Sequence, residues 1–93
     1  MQYTMIHGGN MKTNEIKKGM RILLRNGWEG TMMDNMRGTT RVAEVEGFYT
    51  ETGSVYSFDI VAAQTANDGV WTKIEYTDKE LKTQAMNAAL FGA

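Results

Sequence analysis

The chain contains no cysteine and no proline, and a single histidine among its 93 residues. Without cysteine there is no disulfide framework, no thiolate metal site and no cysteine nucleophile. Without proline, Pro-rich recognition segments and slow X-Pro isomerisation drop out. The one histidine, His7, stands in a stretch with no periodic pattern, and the carboxylates are scattered. No metal and no cofactor is therefore expected. No apolar run approaches the roughly 18 residues that a membrane span needs, so no membrane partner is expected. Residues 1–10, MQYTMIHGGN, lack the basic region and greasy stretch of a secretory signal. Neither a G-x-G-x-x-G pattern nor a P-loop is present. Glu44 and Glu46 share a strand face, since residues two apart point the same way. Paired carboxylates can serve hydrolysis, but an exposed acidic strand edge is the simpler reading. The chain is read as a non-enzyme.

What is present is ordinary globular material, 42% hydrophobic and 23% charged, in a length that makes one domain. Such a chain buries only about two-thirds of its unfolded surface, so one modest core is all it builds. The net charge of −1 hides an uneven spread. Residues 11–41 carry seven basic against three acidic side chains, and residues 42–93 carry three against eight. The first part offers a basic stripe, short of the clearly basic balance of a polyanion-binding domain.

Residues 1–10 read as a flexible N-terminal arm, with Gly8-Gly9-Asn10 as a break. His-Gly-Gly-Asn ahead of Met11 can be encoded with a purine-rich bacterial ribosome-binding sequence. Met11 is thus read as a native or alternative start, and the origin as bacterial or bacteriophage. With no cysteine, the bacterial cytoplasm is the expected location.

From Met11 to residue 76 the signals are those of strands. Met20, Ile22 and Leu24 alternate with Arg21, Leu23 and Arg25, the period of a half-buried strand. Asn26-Gly27 predicts a type I′ turn with two positive-φ positions. Residues 28–34 return as a second strand, with Trp28 on the core side. Residues 39–46 make a third strand ended by Gly47, with residues 48–50 continuing past a bulge. Residues 51–53 predict a turn, and 54–56 a short fourth strand. Residues 57–60 form a tight helical turn before a strand over 61–63. Residues 70–76 alternate again, with Val70, Ile74 and Tyr76 on one side and Trp71 on the other. Turn signals about every ten residues point to a small all-β barrel or sandwich. Thr77-Asp78-Lys79-Glu80 has the form of a helix capping box, and the helix over 77–93 places Leu81, Ala85, Ala88 and Ala89 on one side.

The run KKGMRILLRNGWEGTMMDN, then RGTTRVAEVEGFYTETG, then SVYSFDIVAA resembles an SH3-like small barrel, KOW-like in architecture, over residues 17–63. That resemblance implies two hairpins, a one-turn helix and a closing strand. It carries no ligand, because neither a KOW consensus nor the acidic and aromatic loops of peptide-binding SH3 domains is present. In size and style the chain also resembles small bacteriophage and prophage proteins.

The expected fold is therefore mainly β, a small antiparallel SH3-like barrel with a C-terminal α-helix packed on or beside it. The expected role is a non-catalytic binding module. Its partner would be a host protein or nucleoprotein complex, inhibited in the anti-CRISPR or wider anti-defence manner. A basic and aromatic face of Arg21, Arg25, Trp28, Arg37, Arg41, Tyr49 and Tyr56 is one candidate surface, since Arg, Tyr and Trp favour interfaces. An acidic face of Glu44, Glu46, Glu51 and Asp59, imitating DNA, is the other. The alternative is a nucleic-acid-binding barrel, with phosphates on the arginines and bases on the aromatics. A third reading is capture of a small nucleotide signal. The uncharged end of the helix offers pairing with a second copy.

Overall fold

The computed structural model describes residues 4–5, 11–35, 39–65 and 69–91. It is mainly β, with one helix at the C-terminal end. The strands are β1 (Thr4–Met5), β2 (Arg21–Leu24), β3 (Glu29–Asp34), β4 (Thr40–Glu46), β5 (Thr50–Tyr56), β6 (Ile60–Gln64) and β7 (Val70–Lys73). Two 3₁₀ turns, Thr13–Glu15 and Ser57–Asp59, and the helix α1 (Asp78–Phe91) complete the order. The strands form one sheet in the order β1-β7-β6-β2-β3-β4-β5. Among the described residues its two ends do not pair with each other. All its pairings are antiparallel except that of β1 with β7. Residues 4 and 5, placed by sequence in a flexible arm, instead pair with Val70 and Trp71. The rest of residues 1–10 apart from these two lies outside the described residues.

β2 sits in the middle of the sheet and is buried on both faces. Ile22 and Leu24 point into the main core with Met32, Ala43, Ile60 and Ala63. Leu23, on the other face, packs against Ala62 and Trp71 in a second, smaller cluster. The alternation of β2 therefore divides two apolar sets, with Arg21 as its polar end. Fully burying each large aliphatic chain contributes about 1.5–3 kcal/mol. Trp71 is only 3% exposed, while Ile74 enters the main core from the opposite strand face.

The β2–β3 turn differs from the type I′ expectation. Among the described residues no non-glycine has a positive φ, and Gly27 alone in this turn does, at 92°. Gly27 N–H donates to Leu24 O at 2.9 Å, and Leu24 N–H donates to Trp28 O at 2.8 Å. This is a three-residue loop, residues 25–27, ending in a glycine bulge. The Asn26 side chain stabilises it by accepting from Trp28 N–H at 3.0 Å, so Asn26 keeps an ordinary φ.

The β4–β5 hairpin also turns elsewhere than predicted. Glu46 pairs with Thr50, so the loop is residues 47–49, and residues 51–53 continue the strand opposite Val45, Glu44 and Ala43. Gly53 keeps a strand-like φ here and marks no turn. Gly30, near the start of β3, is needed for a close approach. A Cβ there would lie 2.5 Å from the carbonyl oxygen of Glu44 on β4.

The capping box forms as expected. Thr77 N–H donates to Glu80 Oε1 at 3.0 Å and Glu80 N–H donates to Thr77 Oγ1 at 3.2 Å. The apolar side of α1, however, faces away from the sheet. Leu81, Ala85 and Ala89 are exposed, as are Met86 and Leu90, while Glu80, Thr83, Gln84, Asn87 and Ala88 form the half-buried stripe. Glu80 anchors the helix in this orientation. Its Oε2 accepts from Thr13 Oγ1 at 3.1 Å, tying the first helical turn to the first 3₁₀ turn.

Candidate binding cleft

The sheet curls until the outer edge of β5 approaches the β2–β3 turn and the second 3₁₀ turn, leaving a cleft of about 710 Å³. Its walls are Leu24, Arg25, Asn26 and Trp28 on one side and Glu51, Gly53, Ser54, Val55 and Tyr56 on the other, with Thr40, Val45 and Asp59 completing it. Leu24, Val45 and Val55 belong to or pack against the main core, so the cleft floor is core surface left open. Trp28 and Tyr56 form an aromatic lip.

Trp28, expected in the core, is 40% exposed. Its ring lies over Gly47, where a Cβ would come within 2.4 Å of the indole, and meets Phe48 edge-on at 5.7 Å. The short loop over 47–49 brings this glycine beneath the indole, so the ring lies on the hairpin end. Tyr56 stacks on Phe58 at 4.9 Å. Phe48 and Tyr49 are 90% and 78% exposed. Tyr49 belongs to the hairpin loop and does not line the cleft.

The arginines are engaged within the fold. Arg21 Nη2 meets Glu29 Oε1 at 3.3 Å, and Arg21 also chelates Glu46 across β3. The Glu46 hydrogen bond raises the Arg21 pKa against the opposing effect of burial. In return, the hydrogen bond from Arg21 holds the Glu46 carboxylate below its ordinary pKa. Arg25 Nε meets Asp59 Oδ1 at 3.2 Å, and its guanidinium also donates to Phe58 O and to Tyr76 Oη. Tyr76 Oη donates to Ile60 O at 2.7 Å, and burial pushes this phenol above its ordinary pKa. Arg25 thus clamps the β2–β3 turn to the second 3₁₀ turn.

Arg41 is a correction to the proposed basic face, being 2% exposed. It lies on the inner side of β4, where Nη1 donates to Thr40 O at 2.9 Å and Nη2 donates to Asn14 Oδ1 at 2.8 Å. Burial lowers its pKa, and the Glu80 charge opposes that effect. Arg37 lies outside the described residues. The two candidate faces are therefore not separate. Arg21 and Arg25 of the basic set neutralise Glu46 and Asp59 of the acidic set. Glu44 stands on the outer face beside Thr31 and Thr52, and Glu51 lines the cleft. The cleft gathers Arg25, Trp28 and Tyr56 from one set with Glu51 and Asp59 from the other.

A polar seam joins α1 to the rest of the molecule, with Thr13, Asn14, Arg41, Ser57, Glu80 and Thr83 around a space of about 410 Å³. Burial opposes the charge on Glu80. The hydrogen bonds it accepts from Thr77 and Thr13 outweigh burial and hold its pKa below the ordinary value. Ser57 Oγ faces the same carboxylate without reaching ordinary hydrogen-bond geometry, and it also favours the charged form. Asn35 buttresses the seam by donating Nδ2 to Thr13 O and Ile16 O at 2.9 and 2.8 Å. The sequence signals only its capping box, because the other members come from distant segments.

Among the described residues no group of three or more His, Asp or Glu converges as a metal site, and no helix is long and apolar enough to cross a membrane. No protein-family model matches the chain, and neither does any curated protein or solved structure.

Proposed function

We propose that the protein is a non-catalytic binding module that engages another protein through the cleft between β5 and the β2–β3 turn. The observation that carries this reading is the internal pairing of the arginines. With Arg21 and Arg25 held by carboxylates and Arg41 buried, the cleft beside β5 keeps a mainly apolar and aromatic lining, charged only at Glu51 and the Arg25–Asp59 pair. Open core surface between an indole and a phenol suits a protein anchor better than a phosphate backbone. The strand order β6-β2-β3-β4-β5, with a 3₁₀ turn between β5 and β6, supports treating the scaffold as an SH3-like small barrel. The expected inhibition of a host complex belongs to this reading as its biological use.

The test is capture of partners from bacterial lysate, with and without nuclease treatment, on the tagged protein and on its Trp28→Ala variant. A stoichiometric protein retained by the parent and lost by the variant supports the cleft. Retention that vanishes with nuclease in both would replace it with nucleic-acid binding.

A further inference from the structure

The cleft touches residues 53–56 of β5 consecutively. Neighbouring strand residues point to opposite faces, so a cleft touching them all lies along the edge of the strand. That edge is unpaired among the described residues, for β5 ends the sheet and bonds only to β4. The backbone groups it presents follow from the ladder. Ser57 N–H donates to Thr39 O at 2.9 Å, so residue 57 points its backbone toward β4. In an antiparallel pair this direction alternates. Thr52, Ser54 and Tyr56 therefore aim their N–H and C=O groups outward, those of Ser54 and Tyr56 at the cleft. No proline, lysine or bulge interrupts β5, and the one charge on it that blunts the edge against indiscriminate pairing is Glu51.

We propose, on the basis of the cleft reading, that the partner enters as an extended peptide strand paired with the outer edge of β5. The side chains it must carry are set by the inner face of β5, where Glu51, Gly53 and Val55 follow one another with Val45 and Ala43 behind. Gly53 leaves open space, since a Cβ there would meet nothing within 4 Å. A large apolar side chain of the incoming strand fits there, over Leu24 and Val55 and beside Trp28. The cleft holds one cation and two carboxylates, and Arg25 is paired with Asp59. Glu51 supplies the remaining charge. A lysine or arginine two places from the apolar anchor lies on the same side and reaches Glu51. The recognised pattern is an apolar residue, any residue, then a basic one, its order set by strand direction.

Selection of displayed random dodecapeptides on the immobilised protein tests this. The expected binders carry that apolar-x-basic pattern and lose binding to Trp28→Ala. N-methylation of every second amide should weaken them about tenfold or more, while methylation of the intervening amides leaves affinity within about threefold. Ser54→Pro removes one outward N–H and no bond to β4, so it should weaken the same peptides with the fold intact by circular dichroism. Equal sensitivity to both methylation sets, or no enrichment of Trp28-dependent peptides, would overturn strand addition. A captured protein that still depends on Trp28 would then leave the cleft reading standing, with a folded surface as its occupant.

Discussion

Gly30→Ala makes an exacting trial of the sheet geometry, because two effects oppose each other there. In an open strand the change is favourable. Alanine removes the flexibility of glycine from the unfolded chain and gains about 0.4–1 kcal/mol. At Gly30 the added methyl meets backbone on the neighbouring strand. The Glu44 carbonyl oxygen would lie at 2.5 Å, with Glu44 C and Val45 Cα at 3.3 Å. None of these is the flexible end of a side chain, and β4 is bonded on both sides. The strands must part by several tenths of an ångström, at an overpacking cost of about 1–3 kcal/mol. The expected net loss is about 1–2 kcal/mol, or roughly 4–16 °C in Tm for a domain of this size. Gly53→Ala is the matched control, since its Cβ meets nothing, and it should gain about 0.5 kcal/mol. Urea melts of the three proteins at unchanged m-value decide the matter. A Gly30→Ala protein as stable as the parent would refute the close β3–β4 approach.

The two tryptophans should separate sharply in the same melts. Trp71→Ala should cost about 3–5 kcal/mol by emptying the second cluster, and Trp28→Ala only about 1 kcal/mol; equal losses would contradict their placement. Glu80→Gln should lower stability by about 1 kcal/mol at neutral pH through loss of a charge-assisted cap. The Glu80 pKa is depressed in the folded state, so its contribution is full above the unfolded value of about 4.3 and disappears as pH falls below it. The parent's advantage over Glu80→Gln should therefore shrink in melts taken below about pH 4. Arg21→Met should cost less than about 1 kcal/mol, as exposed ion pairs do. It should also return the Glu46 carboxyl toward its ordinary pKa in an NMR titration.

Elements governed by neighbours along the chain are legible in the sequence. The β2 alternation, the short helical turn at Ser57 and the Thr77–Glu80 box each rest on contacts within a few residues. What the sequence hides depends on register. Arg21 and Glu46 are 25 residues apart, and Arg25 and Asp59 are 34. Only the pairing of β2 with β3 and of β3 with β4 brings the first pair together, so two charged sets that are separate along the chain interleave in space. Glu51-Thr52-Gly53 has turn chemistry, yet the hairpin closes at Gly47, where the glycine also makes room for Trp28. The docked face of α1 is hidden for a similar reason. Apolar count favours Leu81 and Ala85, while the docked side is the one that carries the carboxylate bonded to Thr13. The cleft is a property of the curled sheet and has no contiguous signature in the chain.

The position of β2 has a consequence for how the chain reaches this structure. Its partner β3 follows after a three-residue loop, but its other partner, β6, lies nearly forty residues on. The first hairpin can zip early, whereas β2 cannot bury both faces until β6 and Trp71 have arrived. Closing that long loop is an entropic toll that local hairpins do not share, and it belongs to the slow part of folding. During synthesis, a nascent chain that has reached only β5 presents Leu23 and one edge of β2 uncovered. That interval, more than the finished fold, is when this protein is most exposed to aggregation.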